Sequence, residues 1–238
     1  MTANLSAGSL RFVRHRTQFP GPKTYFGLDL GQRRDHSALA ALQLLWTPLG
    51  RCPVTFEFLF EPRLQVLYLK RFPIGISYED LYSLLRERLN TLAPVNPASR
   101  SCNRELIIDA AGPGTPIVDR LRRNLGPRVA ITPVMITAGK SVSSLSNGYS
   151  GVPRRVIISN FQLLLAARSL KCPKSLDGYK ILESELLDIN GETGQSTSHD
   201  DLVIATGLAS WAATRDVAEL LPSDGDPLAA SPFTLPGF

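Results

Sequence analysis

The chain has 238 residues, 43% of them hydrophobic and 20% charged. That balance excludes a wholly disordered chain, a collagen and a disulfide scaffold, and it leaves room for one large domain with arms. Twenty-six basic residues against twenty-one acidic ones leave a net charge of +5, which suits a polyanionic partner without requiring one. The three cysteines, Cys52, Cys102 and Cys172, form no C-x-x-C pair, so neither a zinc ribbon nor a disulfide framework is indicated. Reduced thiols in a cytoplasmic protein are expected. No run of 18 apolar residues exists, so no membrane span and no membrane partner is expected. Arg11, Arg14 and Arg16 are followed by no apolar stretch of the kind a signal peptide needs.

In chain order, residues 1–22 read as a basic N-terminal arm or linker ending in Pro20-Gly21-Pro22. Residues 23–216 read as one domain, and 217–238 as an irregular Pro-rich tail. Apolar runs at 25–30, 37–46, 54–60 and 64–72 predict four strands, the last two separated by Pro62. The period then changes. Tyr78, Leu81, Tyr82, Leu85, Leu89 and Leu92 recur at helical spacing, and Ser77 with Asp80 resembles a capping box. A buried-looking strand at 105–109 is followed by a glycine-rich turn. A helix then opens with Thr115 as N-cap and Pro116 at its first position, and closes at Gly126. A strand at 128–136 completes a strand–helix–strand unit, which favours parallel pairing. A polar loop is expected over 137–152, helices over about 153–169 and 177–188, and a final helix from 198 to about 214. The fold class is α/β, a mixed sheet flanked by helices.

Four carboxylates stand where an apolar segment meets a turn or a helix start. Asp29 ends the first strand, Asp109 ends the 105–109 strand, and Asp200 and Asp201 open the last helix. An ionised carboxylate at the end of an apolar strand is costly without a partner. Ligands in such sheets bind outside the carboxyl ends of parallel strands, so two strand-end carboxylates on neighbouring strands can converge. The last helix adds one or two more where its dipole favours negative charge. Hard divalent cations relieve the repulsion of such a cluster. A pair of them about 3.5–4 Å apart can activate water against a phosphodiester. Taken singly, each aspartate also has a plain reading, as a turn residue or a helix cap. His199, before the aspartate pair, and Asp35, in the turn after the first strand, are candidates to support the cluster from outside.

At these residues a resemblance emerges. The runs Phe26-Gly27-Leu28-Asp29-Leu30-Gly31-Gln32 and Asp35-His36-Ser37-Ala38-Leu39 resemble the first strand and hairpin of ribonuclease-H-like nucleases. The likeness is greatest to the nuclease domain of phage terminase large subunits. Ile107-Ile108-Asp109-Ala110-Ala111-Gly112-Pro113-Gly114 is similar to that family's second acidic motif. Ser198-His199-Asp200-Asp201-Leu202-Val203 is similar to the third and is the most specific of the three. Pro153-Arg154-Arg155 at the head of a helix, and Glu183-Ser184-Glu185, also fit.

The resemblance implies a ribonuclease-H-like fold. It implies an endonuclease that hydrolyses duplex DNA with two Mg2+ or Mn2+ ions during phage or prophage genome packaging in a bacterial cytoplasm. Asp29 would bridge the metals, and Asp109 with Asp200 or Asp201 would complete the set; of that pair Asp200 is slightly preferred as inner ligand. About 23 residues precede the first strand, too few for that family's ATPase motor, so the sequence reads as a detached nuclease half, a fragment or a stand-alone relative, with a separate ATPase motor, a small terminase or a portal protein as the partners the resemblance would imply. Gly139-Lys140-Ser141 is not a phosphate-binding loop, because Val134 stands where its first glycine belongs.

Arg33, Arg34, Lys140, Arg154 and Arg155 are the candidate phosphate contacts, with Arg120, Arg122 and Arg123 on the helix after the second motif. Two alternatives remain open at the level of sequence. One is a Holliday-junction-resolvase-like nuclease of the same fold; the other is a non-catalytic DNA-binding or packaging accessory module.

Overall fold

In a computed structural model of the chain, the residues described are 12–14, 21–31, 35–51, 58–93, 103–111, 114–125, 127, 129–189 and 199–220. Arg33, Arg34 and Ser198 lie outside them. The elements are β1 (Phe12–Arg14), β2 (Lys23–Asp29), β3 (Ala38–Arg51), β4 (Phe58–Arg71), α1 (Tyr78–Leu92), β5 (Arg104–Asp109), α2 (Gly114–Leu125), β6 (Ala130–Thr137), β7 (Ser143–Ser144), β8 (Ser150–Pro153), α3 (Arg154–Ala166), β9 (Leu170–Lys171), α4 (Tyr179–Asp188) and α5 (Asp201–Leu220). A single sheet runs in the order β1-β4-β3-β2-β5-β6-β8-β7, with β9 beside β4. β2, β3 and β4 form an antiparallel meander, whereas β2, β5, β6 and β8 are parallel. This is the expected mixed α/β sheet flanked by helices, consistent with a ribonuclease-H-like arrangement.

The strand alternation explains the layers. In β2 and β5, Tyr25 and Ile107 face one side of the sheet, while Phe26, Leu28, Leu106 and Ile108 face the other. The first side packs under α3, α4 and α5, the second under α1 and α2. α5 is buried on every side from Asp201 to Ala213, as its nearly unbroken apolar sequence requires of a helix enclosed by a sheet and two neighbours. It sits close. A Cβ built on Gly27 would lie 1.9 Å from the Ala205 carbonyl oxygen, so only glycine lets the helix approach β2 here.

Several sequence expectations shift. The runs at 54–60 and 64–72 were separated at Pro62, yet β4 is continuous across it, with Pro62 opposite Trp46. Proline is tolerated because, among the described residues, the outer edge of β4 is paired only at 58–60 by β1 and at 64–65 by β9, leaving Pro62 in the gap. The loop expected over 137–152 contains β7 and the start of β8; Ser-Gly-Val-Pro carries too little apolar pattern to announce a strand. α5 begins at Asp201 rather than 198 and continues to Leu220. The Ser77 cap is as expected: its Oγ accepts from the Asp80 N–H at 3.1 Å and donates to the Asp80 carboxylate at 2.7 Å.

The far end of α5 is pinned by charge. Glu105, on the α5 face of β5, accepts from Lys23 at 2.8 Å, Arg215 at 2.8 Å and Thr132 at 2.7 Å. Asp216 accepts from Tyr25 at 2.9 Å and pairs with Lys23 and Arg215. The C-terminal part of the helix is thereby tied to the starting ends of β2 and β5.

Candidate metal centre

Residues i and i+2 of a strand share a face, so Asp29 follows Tyr25 and Gly27, and Asp109 follows Glu105 and Ile107, onto the α5 side. β2 and β5 are parallel with Leu28 opposite Ile108, which makes Asp29 and Asp109 neighbours at the carboxyl ends of adjacent strands. α5 crosses the same face with its N-terminus at this end, bringing Asp200 and Asp201 over the two strand ends. The turn after β2 returns to the cluster. Gly31 passes so close to His36 that a Cβ would lie 2.3 Å from its carbonyl, and the Gly31 N–H donates to Ser37 Oγ at 3.1 Å. Asp35 is thereby folded back toward α5.

Ligand atoms of Asp35, His199 and Asp201 all lie within 4.8 Å of one another. His199 Nδ1 is 3.2 Å from Asp35 Oδ1, and the His199 ring packs edge-on against His36 with centroids 5.4 Å apart. His36 Nδ1 is 2.6 Å from the Phe72 carbonyl, which makes Nδ1 the protonated nitrogen of that ring. Asp201 is buried, and its Oδ2 has no hydrogen-bond partner among the described residues.

The electrostatics mark the same place. Burial pushes the Asp29 carboxyl well above the usual range, and Asp109, Asp201 and Asp35 push it further, against the pull of Arg154. Burial raises Asp109, opposed by the N–H groups of Ala111 and Ile136 and by Arg154. The Ala111 bond, 3.1 Å to Asp109 Oδ1, is the turn role that the sequence also allowed. Burial and then Asp35 raise Asp201, opposed by His199, His36 and Arg71. Acids that repel one another, one of them buried with an oxygen unpartnered among the described residues, fit a hard divalent cation: the donors are carboxylate oxygens with one imidazole.

Each sequence candidate has a definite place. Asp29, Asp109 and Asp201 come together, with Asp35 and His199 beside them as potential ligands rather than only outer support. Asp200 turns differently: it is the N-cap of α5, its carbonyl accepting from the Ile204 N–H at 2.9 Å, and its carboxylate pairs with Arg154. Among the described residues the group of ligand atoms within 4.8 Å of one another includes Asp201, while Asp200, slightly favoured by the sequence, faces Arg154. Arg155 points away and donates to the Lys140 carbonyl at 3.0 Å; Lys140 is exposed. Arg120 pairs with Glu79 across α1 and α2.

The sequence reading missed the role of Glu185. This buried residue of α4 accepts the Val203 N–H at 3.0 Å and lies 3.3 Å from Arg71. It satisfies a free donor in the first turn of α5, two residues after Asp201. Burial, then Asp201, push its carboxyl up to about 7, against the Val203 N–H and Arg71. The available signal was a glutamate three residues after Leu182 on the apolar stripe of α4.

No family model matches the chain, and no curated protein does either. Solved structures resemble it at low identity. The human cytomegalovirus terminase nuclease domain, soaked with Mn, is 12% identical with a TM-score of 0.48, over 87% of this chain and 85% of that one. The large terminase nuclease of thermophilic phage G20c is 17% identical with a TM-score of 0.42, over 80% and 82%. The g2p large terminase nuclease domain of bacteriophage SPP1, with bound Mn, is 16% identical with a TM-score of 0.44, over 82% and 86%. The function of this chain is accordingly read from its own residues.

Proposed function

We propose that this chain is a metal-dependent endonuclease of the terminase-nuclease type that hydrolyses phosphodiester bonds of duplex DNA. The observation that carries the reading is the convergence of Asp29, Asp109 and Asp201 at one end of the sheet, with the buried Asp201 Oδ2 unpartnered among the described residues. Asp29, Asp109 and Asp201 would hold the metal, with His199 and Asp35, whose ligand atoms lie within 4.8 Å of those of Asp201, completing the donor set. Two bound Mg2+ or Mn2+ ions would supply neutralising charge and a water of lowered pKa. The chain's own part is to hold the carboxylates in place. β2 and β5 fix two of them, α5 seated on Gly27 fixes the third, and Glu185 with Arg71 anchors the first turn of that helix.

Exposed Lys140, whose carbonyl accepts from Arg155 at the start of α3, favours a phosphate backbone, and such contacts carry little sequence information. The reading extends to packaging of a phage or prophage genome in the bacterial cytoplasm, with a separate ATPase motor, a small terminase or a portal protein as partners.

The test is cleavage of supercoiled plasmid by the full chain in Mn2+, Mg2+ or EDTA, beside Asp29→Asn. Nicking or linearisation that needs metal and disappears in Asp29→Asn is expected. A wild-type chain that binds DNA without cutting it in either metal would instead establish the accessory-module alternative. Faster cutting of four-way junctions than of linear duplex would favour the resolvase-like one.

A further inference from the structure

Arg154 is in an unfavourable place for a cation. It is the first residue of α3, where the helix dipole disfavours positive charge, and that helix has no acidic residue in its first turn and no side-chain cap to offset it. Its guanidinium is also half-buried, and burial alone pulls its pKa down. What holds it there is the acidic centre. It pairs with Asp200, and as the residue that follows β8 it stands at the carboxyl end of the parallel strands, the end that carries Asp29 and Asp109. Arg155 is the internal comparison: the same residue type at the next position of the same helix turn, exposed, and directed to the Lys140 carbonyl instead.

We propose that Arg154 is the resident counter-ion of the centre, standing in for cationic charge while metal is absent and giving way as metal enters. The inference rests on the nuclease reading, since it requires that the carboxylates bind metal. A group that merely braced the site would make metal binding tighter by its presence. A counter-ion does the reverse: it stabilises the metal-free protein and competes with the metal for the same carboxylate charge.

The test uses the full chain and two readouts besides cleavage: calorimetric Mn2+ affinity and thermal melting in EDTA. Wild type is compared with Arg154→Gln, Arg155→Gln and Arg154→Lys. Arg154→Gln is expected to bind Mn2+ about threefold to fivefold more tightly, the size of effect expected when a competing half-buried ion pair is removed. It is expected to melt about 3 °C lower in EDTA. Arg155→Gln, which removes the same charge a few ångströms away, is expected to move both by less than half as much. Arg154→Lys, which keeps the charge without the planar fork, is expected to fall between wild type and Arg154→Gln in both.

Unchanged or weaker Mn2+ binding in Arg154→Gln, with wild type binding normally, overturns the counter-ion proposal and leaves the nuclease reading standing. Equal effects in Arg154→Gln and Arg155→Gln overturn it too. Wild type that binds no Mn2+ removes both. If Arg154→Gln does not fold, the decision passes to Arg154→Lys: Mn2+ binding weaker than wild type overturns the proposal, and tighter binding supports it.

Discussion

Asp29→Asn separates a structural acid from one kept for a metal. In the metal-free protein at pH 7 the folded state bears one of two costs at Asp29. It can charge the group beside Asp109, Asp201 and Asp35, or it can hold the group neutral. Adjacent strands lie about 4.8 Å apart, and two like charges at that separation repel by about 3 kcal/mol at an effective dielectric of about 20, less after solvent screening. Keeping neutral a carboxyl whose ordinary value is 3.8 costs at most about 4 kcal/mol at pH 7. Burial adds to the cost of charging the group, so the cost of the neutral form is the upper bound, and an asparagine of the same shape should stabilise the metal-free chain by about 1–3 kcal/mol, or roughly 3–10 °C in melting temperature for a chain of this size. Melting in EDTA and in Mn2+ checks this. The variant is expected to melt above wild type in EDTA and to lose most of the increment that Mn2+ gives wild type. If Asp29→Asn melts below wild type in EDTA, Asp29 is a structural carboxylate satisfied by its neighbours, and the electrostatic case for the centre fails.

Gly27→Ala is expected to cost about 3 kcal/mol in urea denaturation, because the new methyl meets the Ala205 backbone, which cannot yield as a side-chain tip would. It should also weaken Mn2+ binding by displacing Asp201 relative to Asp29; an unchanged midpoint and affinity would mean that α5 does not rest on β2. Arg215→Ala leaves Glu105, only 3% exposed, with Lys23 as its remaining cation, and is expected to cost about 2 kcal/mol while leaving Mn2+ affinity unchanged. A change in metal affinity would refute the separation of the two ends of α5. Glu185 has a folded value of about 7 against 4.5 ordinarily, so the folded state binds the extra proton. Its contribution to stability is present below about 4.5 and is lost as pH rises through about 7, a swing of up to about 3 kcal/mol. Glu185→Gln should flatten that part of the stability–pH curve between 4.5 and 7; parallel curves for variant and wild type would show that Glu185 is not held in its raised state.

What was legible in the sequence was local. The apolar alternation of β2 and β5, the helical period of α1 and the Ser77 cap are set by near neighbours in the chain, and they appear as expected. The strand-end positions of Asp29 and Asp109 followed from the same patterns, because a carboxylate that closes an apolar run is visible without the fold. What stayed hidden depends on distant partners. Pro62 is a strand residue only because β1 and β9 leave a gap beside it. Glu185 reads as one more acid in Glu183-Ser184-Glu185 until α4 places it under the first turn of α5. Asp200 and Asp201 are adjacent and chemically identical, so only the direction in which α5 leaves its cap assigns one to Arg154 and the other to the cluster.

The α5 face of the sheet carries acids at both ends, and the two ends are treated differently. At the starting ends of the strands, Glu105 and Asp216 are charged residues among Lys23 and Arg215, and despite their burial both carboxyls are held below their ordinary values. At the carboxyl ends, Asp29, Asp109 and Asp201 are held above theirs, with Arg154 as partial relief for the first two and His199, His36 and Arg71 for the third. Residue type and burial are alike at both ends, so the difference lies in the cations the chain provides. A protein that supplies enough positive charge for one acidic cluster and too little for the other has built the first as an internal lock. The second it leaves under-neutralised, at the end of a parallel sheet where ligands bind. A divalent ion bound there would offset that deficit, which is the charge that the proposed function requires.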